Sequence, residues 1–119
     1  MDPDPFQHKL EKGVDTMLYL VSILGSRRGA IPLVDGTHTL GREAVGAELM
    51  SGKTLVSRSH CDVLVNGDVA AIRDHSLNGT MVNGISVDNR WFCLLEGDVI
   101  TLGSDSPQEG AFAYKLVKV

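Results

Sequence analysis

From position 17 onward, apolar residues come in short runs, many alternating with polar ones, and each run is bounded by Gly, Asn, Asp, Pro or Ser. A period of two places successive side chains on opposite faces of an extended chain, so such runs read as half-buried strands. The predicted strands are 18–24, 30–34, 38–40, 61–65, 69–73, 91–94, 99–102 and 111–119. Only 44–50 carries some helical propensity, and it is short. Strands recurring between turns, with no regular alternation of strand and helix, predict an all-β sandwich or barrel.

Turn chemistry sharpens the pairing. Val65-Asn66-Gly67-Asp68 predicts a type I′ hairpin turn centred on Asn66-Gly67, making 61–65 and 69–73 antiparallel neighbours. Val82-Asn83-Gly84-Ile85 is a second such signal between two very short extended pieces. Glu96-Gly97-Asp98 reads as another reversal, and 103–110, rich in Ser, Asp, Pro and Gly, as an exposed loop. Residues 1–16 have no convincing period and no apolar stretch of the secretory kind. They read as a leader, disordered or added ahead of a natural start at Met17, which leaves 17–119 as the domain.

Composition narrows the function. A chain of 119 residues is one domain, with 43% hydrophobic and 22% charged residues. No apolar run approaches the roughly 20 residues of a spanning helix, so no membrane partner is predicted. A net charge of −4 argues against direct nucleic-acid binding, which needs clustered Lys and Arg. Cys61 and Cys93 sit in apolar strand contexts, predicting two buried free thiols in a reducing, intracellular compartment.

The candidate chemistry lies in Gly41-Arg42, Ser57-Arg58-Ser59-His60 and Asn78-Gly79-Thr80-Met81-Val82-Asn83-Gly84. A guanidinium fork suits phosphate, a serine adds a hydroxyl, and Asn-Gly steps hold such groups on tight loop tips. A phosphorylated peptide, whose phosphoryl group carries roughly −1.5 to −2 charges and three acceptor oxygens, suits a small positive pocket on an acidic body better than DNA does. Catalysis and cofactors are not expected. His60, Cys61 and Asp62 are consecutive in a strand and cannot converge, and no strained Gly-x-Ser-x-Gly turn supports Ser57 as a nucleophile. Trp91 and Phe92 face opposite sides, so one is expected in the core and the other partly exposed at an interface.

In this order and spacing, Gly41-Arg42, Ser57 to His60, Ser76 to Gly84 and the Leu94 to Gly103 stretch resemble the forkhead-associated domain family across residues 18–119. The resemblance implies a sandwich of two antiparallel sheets with about eleven strands and a phosphothreonine-peptide site on loops at one end. It implies that Arg42 is the main phosphate arginine, Ser57 the phosphate hydroxyl, Arg58 a second positive charge and Asn78 the grip on the peptide backbone. Gly41 and Gly79 then permit the loop shapes, His60 braces the loops, and Thr80 and Asn83 serve as scaffold. Two departures stand out: Leu77 replaces a family Thr or Ser before Asn78, and the acids Glu43 and Glu48 follow Arg42. The function implied is an adaptor module for threonine-phosphorylated proteins, in nuclear DNA-damage signalling. The alternative is a module of the same fold that works through homodimerisation, with weak or no phosphopeptide binding.

Overall fold

The computed structural model describes residues 17–23, 29–43, 55–103 and 112–119. Ten strands are present among them: β1 (Leu18–Ser22), β2 (Ala30–Leu33), β3 (Gly36–Leu40), β4 (Cys61–Asn66), β5 (Val69–Asp74), β6 (Thr80–Val82), β7 (Ile85–Val87), β8 (Phe92–Leu94), β9 (Val99–Leu102) and β10 (Phe112–Lys118). They form two antiparallel sheets, one ordered β2-β1-β10-β9-β6-β7 and the other β3-β4-β5-β8. The leader and the 44–50 stretch fall outside the described residues.

The alternating pattern becomes burial directly. Leu18 and Leu20 of β1, Val63 and Val65 of β4, Ala70 and Ile72 of β5, Ile100 and Leu102 of β9, and Phe112, Tyr114 and Leu116 of β10 fill the space between the sheets. Each sheet hides one face of its own strands only by covering the other, which is what makes the sandwich cooperative. Phe112 and Tyr114 meet edge to face with centroids 4.8 Å apart.

Asp62 also counts as buried, yet it lies on the outer face of β4. There it accepts hydrogen bonds from Thr39 Oγ1 (2.8 Å), His75 Nε2 (3.1 Å) and Arg73 Nε (3.2 Å). Burial raises the affinity of this carboxylate for a proton. The hydrogen bonds from Thr39, His75 and Arg73 outweigh that effect, leaving its pKa below the ordinary value.

The turns differ from the sequence reading at one place. Asn66 pairs with Val69, so the first hairpin turns through Gly67-Asp68, with positive φ (66°) at Gly67 alone. That sign pattern belongs to a type II′ turn, which needs Gly only at its first central position. Asn83-Gly84 does form the expected turn, with φ of 52° and 80° and Val82 paired to Ile85. The reversal at Glu96-Gly97-Asp98 carries the chain from one sheet to the other, because β8 and β9 are not partners.

Two burial expectations are overturned on β8. Cys93 is exposed, because it pairs with Ala71 on the outer face of β8, the edge strand of its sheet among the described residues. Trp91 (42% exposed) and Phe92 (40%) are both partly exposed, with neither fully in the core. Phe92 pairs with buried Ile72 but sits at the rim of the sandwich. Trp91 lies beneath the Arg73 guanidinium, 4.5 Å from its ring centroid.

Candidate functional site

At the end of the sandwich where β3 and β5 finish and β4 and β6 begin, three loop segments meet: Gly41 to Glu43, Leu55 to His60 and His75 to Gly79. The first two are laced through the backbone, with Arg42 N donating to Ser57 O and Glu43 N to Arg58 O, both at 3.1 Å. That approach explains Gly41. A Cβ there would overlap the Arg58 carbonyl and press on the Ser57 carbonyl, so any other residue forces the segments apart.

Arg42 is half-buried, and its Nε donates to the Val56 carbonyl. That carbonyl belongs to the peptide unit leading into Ser57, so the guanidinium is anchored one peptide unit from the residue that carries the hydroxyl. No described carboxylate contacts Arg42, and its two terminal amino groups, each with two N–H donors, remain unengaged by described residues. Glu43 instead pairs with Arg58, Nε to Oε1 at 3.5 Å, and both side chains are largely exposed. Such a solvated pair is worth at most about 1 kcal/mol and yields readily to a stronger anion.

Ser57 Oγ accepts from Leu77 N at 3.1 Å. Because that hydrogen bond uses an oxygen lone pair, the hydroxyl proton stays free to donate outward. Asn78 Nδ2 donates to Leu55 O at 3.0 Å, which orients its amide while no described residue engages its Oδ1. The tip thus presents a fixed guanidinium, a hydroxyl donor and a carboxamide.

His60 ties the loops together from below. It is fully buried; Ser57 N donates to its Nδ1 (2.9 Å), and its Nε2 donates to Gly79 O (2.7 Å). An amide donor on Nδ1 requires that nitrogen to be unprotonated, which sets the neutral Nε2–H tautomer. Burial lowers its pKa, partly offset by the Gly79 hydrogen bond and the Asp74 carboxylate. Gly79 O also accepts from Gly103 N at 2.9 Å, joining the loop to the end of β9.

Thr80 is buried and donates to Asp74 Oδ1 at 2.8 Å, so it braces the loop that ends at Gly79. Asn83 is not brought to the site. It lies at the far end of β6, where its side chain bonds Asp98 Oδ1 and Val99 N, both at 2.9 Å. Its part is to staple the β6–β7 turn to the start of β9.

Three organising residues were given no role in the sequence reading. Asp74 Oδ1 accepts from Ser76 N, Ser76 Oγ and Thr80 Oγ1, folding the chain into the loop, and Ser76 Oγ accepts in turn from Gly79 N. The signal was present as Asp-x-Ser, a pattern that turns on its own side chains. Gly103 packs so tightly on Leu55 that a Cβ would overlap it. Its positive φ (89°) adds a second, local reason for glycine there.

The sequence profile of the FHA domain matches residues 38–103. The chain belongs to the forkhead-associated (FHA) domain family, whose members are non-catalytic protein-interaction modules.

Solved structures agree. One, from a structural and functional analysis of phosphothreonine-dependent FHA domain interactions, is 30% identical with a TM-score of 0.67, covering 85% of this chain and 95% of that one. The solution structure of the FHA domain of an Arabidopsis thaliana hypothetical protein is 28% identical with a TM-score of 0.69, covering 87% and 86%. The N-terminal FHA domain of S. cerevisiae Rad53p, in complex with a phosphothreonine peptide, is 21% identical with a TM-score of 0.67, covering 85% and 92%; there the likeness is one of fold. No curated protein sequence matches the chain.

Proposed function

We propose that this domain recruits partners by binding threonine-phosphorylated peptides at the loop tip built around Arg42 and Ser57. One observation carries the reading: an arginine anchored through Nε, its terminal amino groups directed to no described carboxylate, beside a serine whose proton is free. Arg42 and Ser57 take the phosphoryl oxygens, Arg58 adds charge once released from Glu43, and Asn78 holds the peptide backbone. Similarity to an FHA domain studied for phosphothreonine-dependent interactions supports this. A short linear ligand with few anchors binds at about micromolar affinity, near −8 kcal/mol. The reading extends by family resemblance alone to a nuclear adaptor of DNA-damage signalling, which imaging of the tagged protein checks.

The test is a titration of the domain with a degenerate phosphothreonine peptide library and its unphosphorylated control. Binding is expected only to the phosphorylated library, and Arg42→Ala should weaken it by at least about tenfold through loss of a charge-assisted contact. Equal binding of both libraries by the wild type rules the reading out.

A second reading, self-association, draws on the outer face of the four-stranded sheet. Leu64 on β4 and Val69 on β5 are exposed on that face, which runs on to Cys93 of the edge strand β8. Light scattering across a concentration series separates monomer from dimer, and the two readings are compatible.

A further inference from the structure

At 89% exposure, Leu77 is the most exposed large apolar side chain among the described residues. Scattered apolar residues are ordinary on protein surfaces. What distinguishes Leu77 is the frame that holds it out. Its own N–H is spent on Ser57 Oγ, and the residues beside it are fixed by Ser76 to Asp74, Gly79 to Ser76 and Asn78 to Leu55 hydrogen bonds. The loop therefore cannot fold the isobutyl group back onto the core without breaking bonds that shape the tip. An apolar group is thus carried on a fixed backbone whose N–H bonds the proposed phosphate hydroxyl.

We propose that Leu77 is a specificity-determining residue, selecting phosphothreonine peptides that carry an apolar side chain within two residues of the phosphothreonine. The proposal rests on the phosphothreonine reading above. A leucine side chain has no hydrogen bond to offer a phosphate, so its favourable contact with a bound peptide is burial against carbon. An extended peptide advances about 3.3 Å per residue, so a ligand anchored at Ser57 passes Leu77 within that span. Because the backbone that carries the leucine is already held, covering it costs the rotamer freedom of one side chain and no further ordering of the loop.

The experiment measures binding of a phosphothreonine peptide array by fluorescence anisotropy. Each flanking position is set in turn to Leu, Ile, Gly or Asp, with unphosphorylated controls, and wild type is compared with Leu77→Thr and Leu77→Ala. In the wild type, an apolar residue at one flanking position should raise affinity roughly fivefold over glycine, as expected for burying part of two aliphatic side chains. That apolar-to-glycine ratio should fall towards one in both variants, with thermal melting showing that they fold. A flat wild-type flanking profile, or the same profile in all three proteins, overturns the proposal even where phosphate dependence persists. Loss of phosphate dependence in the wild type overturns the underlying reading as well, so the two failures are distinguishable.

Discussion

Gly41 and His60 carry no charge to a ligand, yet each decides whether the charged residues sit where they do. Replacing Gly41 by Ala drives a methyl into the Arg58 carbonyl. Overpacking of this kind costs about 1–3 kcal/mol, and Gly41→Ala should also lose phosphopeptide affinity although every charged side chain remains. Melting and titration together check this; unchanged affinity would show that the tip does not depend on that close approach. His60 makes a pH prediction. Its folded-state pKa lies below the usual 6.5, so as pH falls through that value the unfolded chain takes up a proton that the native chain refuses. Stability is therefore expected to be full above about pH 6.5 and to decline below it. His60→Ala should cost about 2–4 kcal/mol at neutral pH, by orphaning Ser57 N and leaving a cavity, and should flatten the loss between pH 7 and 5. Asp62 acts lower on the scale: its contribution is present above the usual 3.8 and disappears as pH falls through its depressed native value. Melts taken without peptide separate these effects from protonation of the ligand phosphate.

Among the elements, the short strands β6 and β7 depend on what holds their ends. At the far end of β6, Asp98 accepts from Asn83 Nδ2 (2.9 Å) and from Leu95 N (2.7 Å), tying two turns together. Asp98→Ala should cost about 1–2 kcal/mol by removing both acceptors. Peptide affinity of the folded protein should stay within about twofold, since distant sites act independently. Comparing chemical unfolding with titration tests that separation. At the near end, the Asp74, Ser76 and Thr80 hydrogen bonds do the equivalent work for the loop carrying Leu77 and Asn78.

For the whole molecule, sheet order decides what is accessible. Cys61 is sealed between the sheets, and burial pushes its thiol pKa up, keeping it protonated. Cys93 stands on the outer face of an edge strand. A thiol reagent should therefore label Cys93 alone in the native protein and both cysteines after denaturation. Rapid native labelling of Cys61 would contradict the packing of β4 against the opposite sheet.

The all-β class and most strand positions were legible in the chain, because alternation and turn residues are local properties. The residue types at the candidate site were legible too, through short motifs and their resemblance to a family. Local signals failed where the outcome depended on a distant partner. Cys93 looked buried because its neighbours are apolar, and only the order β3-β4-β5-β8 leaves it on an open edge. Asn83 was assigned to the site scaffold by family resemblance, yet the length of β6 carries it to the other end. Whether Glu43 faces Arg42 or Arg58, and why position 103 admits only Gly, were settled by how separate loops approach one another. Periodicity tells a strand which face to bury; pairing between strands far apart in the chain tells it what lies beside it.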